Sequence, residues 1–584
     1  MPQNAAAAVS AAPDDNREKE PQVKPPPAGT DQEADSPPPQ ISGPIMFGLC
    51  GLFFLLLSPA TAWAAGKDIT HAALLDALAL TASRMAVSLT MALLCAFPLA
   101  ALAQRKTATG LSLRTALNYV ARIPATGFLP IAALTLTSLS RHAIHHPATI
   151  ITALTLSLLL PLTESLCNGL NAVPPDLKAV ARQIGLSSWQ RFWRLNVPCS
   201  MAPLTRSIVQ HVPMGWFLLL WAEIISHPES NGGLGPFMLR AVANMNIPMI
   251  VFALLGMLLM IVCCEYLLFR PLLFWSSHFQ PLKKGAGHEL RRPAIFRRFL
   301  LVQLLHEWLS PLLLGLANLS FGRRPTARQA EPNTPHSHTL TVHITRLLCL
   351  ILALALPTWW LATGALNAAD CAALLTGALV TLLRCALVLI LTTAIWLPVA
   401  TAIGLNRSFS ARFIPAARML AAFPTSLLFP LAALAIRSQP VPIQISISPM
   451  LILNTQWIIA FALIRAAGRF PSNLLTAARA MQVRGWLWWR VVMLPGLASS
   501  ATKSLGTAFA ETCGVAIAAE YLIDGQLPLS AGGIGSLIAA AIRNGNLPHA
   551  ITGVLVMTAF LITIDRFLWR RLRDWSERRF GRTI

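Results

Sequence analysis

The feature that most constrains this chain is a series of apolar runs, each long enough to cross a lipid bilayer as a helix. About 20 helical residues span the hydrocarbon core, and such runs must satisfy their backbone hydrogen bonds internally. Only 12% of the 584 residues are charged. The sequence therefore predicts an all-α membrane protein with about twelve transmembrane helices in a lipid bilayer.

The predicted spans fall into two groups of six. Those of the first group are Pro44–Ala64, Ala82–Ala103, Ala121–Leu139, Thr149–Leu170, Pro203–Ile225 and Pro248–Phe269. Those of the second group are Ile344–Leu361, Ala372–Ala400, Ala416–Ile436, Ser448–Arg465, Gly496–Leu522 and Ala550–Leu568.

Basic residues are concentrated in alternate loops. The formal net charge is +22, and Lys and Arg crowd Arg105–Arg114, Arg407–Arg418, Arg465–Arg490 and Arg566–Arg582. This alternation is typical of membrane orientation, in which basic loops stay in the cytoplasm. It predicts that both termini are cytoplasmic, and it favours orientation over nucleic-acid binding as the cause of the charge.

The chain repeats itself at a spacing of 300 residues. The motif "RIPATGFLPIAAL" at Arg122–Leu134 returns as "AFPTSLLFPLAAL" at Ala422–Leu434, and "GGLG" at Gly232–Gly235 returns as "GGIG" at Gly532–Gly535. We therefore predict two parallel six-helix repeats, related by a pseudo-twofold axis along the membrane normal, with a pathway between them.

Composition divides the chain into four parts. Residues 1–42 are rich in Pro, Ala, Asp and Glu and are expected to be a disordered cytoplasmic tail. Residues 43–270 and 344–584 are the two halves, the second ending in a basic cytoplasmic C-terminus. Between them, residues 271–343 are a basic linker. Its apolar stretch 299–320 is expected to be an interfacial helix, because an additional span would invert the second half.

Two charged segments interrupt the apolar pattern at matching places. "DLKAVARQIGLSSWQRFWRLNVP" begins at Asp176, and "NLLTAARAMQVRGWLWWRVVMLP" begins at Asn473. Each predicts a short amphipathic helix, a turn, a second short helix and a proline that enters the next span. An interfacial anchor is one interpretation; a lever that docks on a partner is the other.

Both segments resemble the cytoplasmic "EAA" loop of ABC importer permeases. The spacing of that loop is kept in both copies, although neither has its glutamate and the second has Gln where the loop has Gly. The resemblance implies a coupling helix that docks on an ATP-hydrolysing subunit. The residues it assigns to ATPase coupling are Ala179, Ala181, Gly185, Pro198, Ala477, Ala478, Gln482 and Pro495.

Longer stretches are similar to permeases for nitrate, sulfonate and taurine. They are "IPATGFLPIAAL", "WAEIISHPESNGGLG", "AAEYLIDGQLPLSAGGIG" and "DRFLWRRLRDWSERR". This resemblance implies a small anion as solute, an ABC ATPase dimer on the cytoplasmic side and a substrate-binding protein on the outer side. It also implies a multi-pass protein of the bacterial inner membrane.

No catalytic or metal-binding pattern stands out. The chain has no Gly-x-x-x-x-Gly-Lys-Ser/Thr phosphate loop, so we expect ATP to be bound by another subunit and no cofactor by this one. Loop histidines lack ligand spacing, and no nucleophile motif is evident. An enzymatic function is therefore not predicted.

Charges within predicted spans are few, and each is costly unless it is paired or faces water. Arg84 and Arg384 occupy matching positions, which suits either guidance of an anion or pairing between helices. The candidate pathway residues are Arg84, Arg384, Trp221, Glu223, Glu511 and Glu520.

Three other functions remain open from the sequence. A secondary transporter driven by an ion gradient would need buried carboxylates such as Glu511. An ABC permease for a non-anionic solute would share every motif described above, and a membrane scaffold without transport would need none of them.

Overall fold

Helices make up nearly all the regular structure in the described part of the chain. The computed structural model describes residues 71–105, 107–136, 147–226, 232–277, 335–523 and 528–580. The predicted tail, the first predicted span and most of the predicted linker, including 299–320, lie outside these residues.

The first half contains ten α-helices within the described residues. They are α1 His71–Ala103, α2 Ala108–Val120, α3 Phe128–Leu136, α4 Pro147–Asn171, α5 Pro175–Gln183, α6 Ser188–Arg191, α7 Val197–Ser226, α8 Leu234–Ala243, α9 Ile247–Cys263 and α10 Arg270–Ser277.

The second half repeats this order and adds a short hairpin. Its helices are α11 Pro335–Ala362, α12 Ala368–Leu405, α13 Arg407–Ala421, α14 Phe429–Arg437, α15 Ile443–Ser446, α16 Ser448–Gly468, α17 Ser472–Ala480, α18 Gly485–Trp488, α19 Leu494–Ala519, α20 Ile534–Arg543, α21 Leu547–Ile564 and α22 Arg570–Phe580. The antiparallel strands β1 Tyr521–Ile523 and β2 Pro528–Ser530 lie between α19 and α20. Helix α11 begins inside the stretch that the sequence assigned to the linker.

Local chemistry is repeated along with the helices. The side-chain oxygens of Asn246 and Asn546 cap α9 and α21, each accepting a hydrogen bond of 3.4 Å from the backbone N–H three residues later. A proline follows in the first turn of both helices, where its missing N–H costs nothing.

The all-α membrane fold is confirmed, but the span count of twelve is not. Eight helices in the described residues are long and apolar enough to cross a membrane, or up to ten if each of two bent helix pairs is one span. Helix α19 is not among them, although it is 26 residues long.

The predicted spans Ala121–Leu139 and Ala416–Ile436 each contain a sharp bend within their described residues. The axes of α2 and the helical segment that follows it meet at 105°, and the corresponding angle after α13 is 59°. A proline, Pro124 or Pro424, stands at each break. Proline has no N–H to donate and disfavours helical backbone in the preceding residue, so each run bends instead of crossing straight.

The two halves meet along an interface that we call the seam. In each half, the residues that follow the bend contact a long helix of the other half. The Thr126 hydroxyl donates to the Gly514 carbonyl oxygen on α19 at 3.0 Å, and the Ser426 hydroxyl donates to the Phe217 carbonyl oxygen on α7 at 3.0 Å. Helix α11 of the second half also packs against α2 of the first. These reciprocal contacts place α7 and α19 at the seam.

Candidate functional site

The two charged segments fold into the same helix–turn–helix lever. In the first, α5 leads through a turn to α6, and a π-helical stretch at Phe192–Asn196 then continues into α7. In the second, α17 and α18 lead through a π-helical stretch at Trp489–Met493 into α19. Pro198 and Pro495 lie in the first turn of the long helix, a position that tolerates proline.

Each lever's first helix ends in a Schellman turn, in which a residue of left-handed conformation follows the helix. Gly185 has φ of 74°, and Leu186 N–H donates to the Ala181 carbonyl oxygen at 3.2 Å. In the second lever Gln482 has φ of 55°, and Val483 N–H donates to the Ala478 carbonyl oxygen at 2.9 Å. The turn therefore forms with glutamine as well, at a conformational cost.

Exchanging the two turn residues should move local stability in opposite directions. Apart from its two chain neighbours, no atom of the described residues lies within 4 Å of a Cβ built on Gly185, so Gly185→Gln meets only the left-handed backbone cost of about 1–2 kcal/mol. Gln482→Gly should relieve a similar strain. Amide hydrogen exchange should accelerate by about fivefold or more across the first lever and slow in the second. Changes of the same sign in both variants would contradict this account.

The levers expose apolar side chains while burying one alanine each. Ala181 and Ala478, both predicted coupling residues, are 5% and 6% exposed. The apolar side chains of the first lever are largely uncovered: Leu177 41%, Val180 47% and Ile184 69% exposed. The second lever exposes Leu474 by 42%, Met481 by 77%, Trp486 by 72% and Leu487 by 54%.

Ala179 and Ala477 are also exposed, on the same two helices. One buried alanine anchors each helix, and the described part of the chain leaves the rest of its surface uncovered. Exposed apolar surface of this kind is typical of surfaces that contact either a partner protein or the membrane. We call the exposed apolar side chains of the first lever (Leu177, Val180, Ile184) and of the second (Leu474, Met481, Trp486, Leu487) the lever faces.

Arg84 forms a buried ion pair with Glu223. The Arg84 Nη1 atom lies 2.7 Å from Glu223 Oε1, and the two side chains are 8% and 0% exposed. The Thr81 hydroxyl lies 3.1 and 3.2 Å from the two carboxylate oxygens and accepts a hydrogen bond from Leu234 N–H at 2.9 Å. Gly235 N–H, in the first turn of α8, donates to Glu223 at 3.1 Å.

The second half builds the same cluster from equivalent residues. Arg384 pairs with Glu520, and these side chains are also 8% and 0% exposed. The Thr381 hydroxyl lies 2.8 and 2.9 Å from the Glu520 oxygens, and Gly535 N–H donates to Glu520 at 2.8 Å. Arg384 also donates to the Ala531 carbonyl oxygen at 3.0 Å.

These clusters explain the Gly-Gly motifs and assign the arginines to pairing between helices. A Cβ on Gly233 or Gly533 would come within 2.4 Å of a glutamate oxygen, so only glycine permits the carboxylate to pack there. Sequence analysis missed Thr81 and Thr381, although "TASR" and "TLLR" recur 300 residues apart. That recurrence is the signal that could have found them.

Trp221 is 2% exposed. It lies in a stretch of α7, Gly215–Ser226, in which every residue is buried. The matching stretch of α19, Thr512–Ala519, is also buried throughout. In this structure Trp221 is therefore enclosed by protein.

Glu511 differs from the other charged candidates in having no partner. Its side chain is partly exposed, and no hydrogen bond or ion pair reaches its carboxylate from the described residues. It stands one residue before the buried stretch of α19 begins. Among the described residues, no group of three or more His, Cys, Asp or Glu side chains could hold a metal ion.

Comparison with known proteins gives two matches. Residues 52–270 match the family model described as "Binding-protein-dependent transport system inner membrane component". The chain is 28% identical over 120 residues to the osmoprotectant import permease protein OsmW of Salmonella typhimurium, a match that covers 20% of this chain and 54% of that protein. The chain thus spans about half the length of this relative. In residues 52–270, the first half carries a domain that matches inner membrane components of binding-protein-dependent transport systems.

Proposed function

We propose that this chain is the transmembrane permease of an ATP-driven ABC importer, with both halves fused in one polypeptide. The observation that carries the proposal is the pair of lever faces. Each is an uncovered apolar surface on a short helix that runs, through one turn and a π-helical stretch, into a long helix at the seam. A push on the lever face would therefore reach the seam directly.

The proposed partners follow from this geometry. Two levers suit two ATPase subunits on the cytoplasmic side, and the family match to residues 52–270 supports delivery of solute by a binding protein on the outer side. ATP would be bound and hydrolysed by the partner subunits, so this chain itself would be neither an enzyme nor cofactor-dependent. The proposed location is the bacterial inner membrane, with both termini cytoplasmic.

For the solute we propose a small organic osmoprotectant in preference to an anion. The anion expectation drew on the permeases that the chain resembles and on the duplicated arginines, but Arg84 and Arg384 are each paired with a buried glutamate. Their charge is largely compensated within the protein. The relative named above is an osmoprotectant import permease, which supports the choice.

Transport in membrane vesicles tests the proposal. Inverted vesicles should hold this chain together with its co-purifying ATPase and binding protein, with the binding protein enclosed. Efflux of labelled glycine betaine loaded into these vesicles should require external ATP, and excess unlabelled taurine or nitrate loaded with it should leave that efflux unchanged.

Transport that persists without ATP but collapses with the ion gradient would support a secondary transporter instead. Competition by taurine or nitrate would instead favour a small anion as the solute. If no ATPase co-purifies and no solute moves, the importer assignment fails.

A further inference from the structure

The seam is closed on the C-terminal side of Met214 in α7 and of Glu511 in α19. Beyond these residues, Gly215–Ser226 and Thr512–Ala519 are buried throughout. The seam hydrogen bonds to Phe217 and Gly514 lie three residues further along each helix. A Cβ built on Gly514 would lie 3.9 Å from Met214 Cε, so Met214 itself reaches the closing contact.

On the side of the levers the same helix faces are open. Arg206 and Gln210 on α7, and Lys503 and Thr507 on α19, are exposed. Residues four apart share one face of a helix, so these side chains continue the faces of Met214 and Glu511. At Gly514 that face meets the other half, whereas Lys503 and Thr507 are exposed. These exposed faces of α7 and α19 would form the walls of a vestibule between the halves that ends at Met214 and Glu511.

The two walls of this vestibule carry similar side chains at equivalent positions, except at its inner end. At the spacing of 297 that relates Pro198 to Pro495, Arg206 corresponds to Lys503 and Gln210 to Thr507. The next pair on this face breaks the match, because Met214 corresponds to Glu511. One half thus contributes an apolar thioether and the other a carboxylate without a partner.

We infer that Glu511 is the binding residue for a positively charged ammonium group of the solute, at the inner end of the vestibule. This inference rests on the proposed transport function and deepens it. A partly buried carboxylate without a partner within a membrane protein is costly, and a cation that enters the vestibule would supply that partner. Met214, facing the seam, offers an apolar surface to the alkyl groups of such a solute.

The other charges of the vestibule do not oppose this assignment. Lys503 is paired with Glu577, whose carboxylate lies 2.8 Å from its Nζ atom, and both side chains are exposed to solvent, which screens their charges. Arg206 stands eight residues before Met214 on α7, which is about 12 Å at the rise of a helix. Glu511 is therefore the dominant charge at the closed end.

Binding of labelled choline to the purified full-length chain in lipid nanodiscs tests the inference. Choline carries a quaternary ammonium group and no anion. We expect saturable binding that Glu511→Gln weakens by about tenfold or more, about 1.4 kcal/mol, and that taurine and nitrate do not displace. Glu164→Gln is the matched control, since Glu164 lies on α4 beside a cavity whose lining residues all belong to the first half. It should leave the affinity within about twofold.

Moving the carboxylate from position 511 on α19 to position 214 on α7 distinguishes loss of solute binding from loss of folding. Met214→Glu combined with Glu511→Gln should restore choline binding, because the charge returns to the same level of the vestibule. If Glu511→Gln alone does not fold, Met214→Glu in the otherwise unchanged chain should still tighten binding by adding a second carboxylate.

The outcomes distinguish this site from the transport function itself. Absence of choline binding, equal binding by Glu511→Gln, or an equal loss in Glu164→Gln overturns the assignment of Glu511. The measurement needs no ATPase. Choline binding in a chain that captures no ATPase would therefore leave the site standing and remove the importer proposal.

Discussion

Replacing Arg84 by Gln should destabilise the protein by about 3–5 kcal/mol, because Glu223 would be left as an uncompensated buried charge. Thr81 and Gly235 would still bond to the carboxylate, but neither carries charge. The unfolding midpoint of the purified protein, followed by fluorescence-detected size exclusion, should fall clearly. Arg384→Gln should behave in the same way, since its cluster is equivalent.

A paired change provides the control for this prediction. In Arg84→Gln with Glu223→Gln, no buried charge remains in the first cluster, so the unfolding midpoint should rise part of the way back to that of the parent. Arg412→Gln removes an exposed arginine from α13 and should leave the midpoint in place. An Arg84→Gln variant as stable as the parent, yet defective in moving an anion, would instead favour the guiding role that the sequence suggested for this arginine.

The clusters show what a single sequence can and cannot reveal about this fold. Hydropathy predicts the helices, and self-similarity places Arg84 opposite Arg384 and one Gly-Gly motif opposite the other. The pairing itself joins residues 139 and 136 positions apart, and no local pattern specifies such a contact. Only the cost of a buried charge predicts that each arginine needs some partner.

A change of spacing within the repeat has a structural counterpart. Glu223 precedes Gly235 by 12 residues, whereas Glu520 precedes Gly535 by 15. The interval in the second half holds the β1–β2 hairpin. The repeat therefore shifts from 297 to 300 across a loop, while the helices on both sides keep their cluster contacts.

The sequence predicts the bends less well than the spans, although the proline that causes each bend is a local feature. Pro124 and Pro424 stand within apolar runs that hydropathy alone scores as continuous. Proline inside a membrane helix is often tolerated when neighbouring helices satisfy the freed backbone groups, so its presence did not decide between a kink and a break. The contacts of Thr126 and Ser426 across the seam, absent from any local pattern, accompany the break in the structure.

Substitutions in both lever faces should have a large effect on binding of the ATPase subunits. Ile184→Asp combined with Met481→Asp should abolish capture of the ATPase subunits while leaving the unfolding midpoint unchanged. The two side chains are 69% and 77% exposed, so the folded chain loses little packing when they change. In a docked complex each aspartate would be moved from water into an apolar contact without a partner, a large penalty for binding.

The measurement is the ratio of ATPase to permease after co-purification, followed by the ATPase rate of the complex. Either single variant should retain one lever face and so bind the ATPase more weakly than the parent but more strongly than the double variant. Arg182→Gln is the matched control for the single variant Ile184→Asp, because each lowers the net charge by one and Arg182 lies on a part of α5 opposite the apolar side chains. If the double variant captures the ATPase as well as Arg182→Gln does, the lever faces are not its docking surface, and the importer proposal loses the observation that carries it.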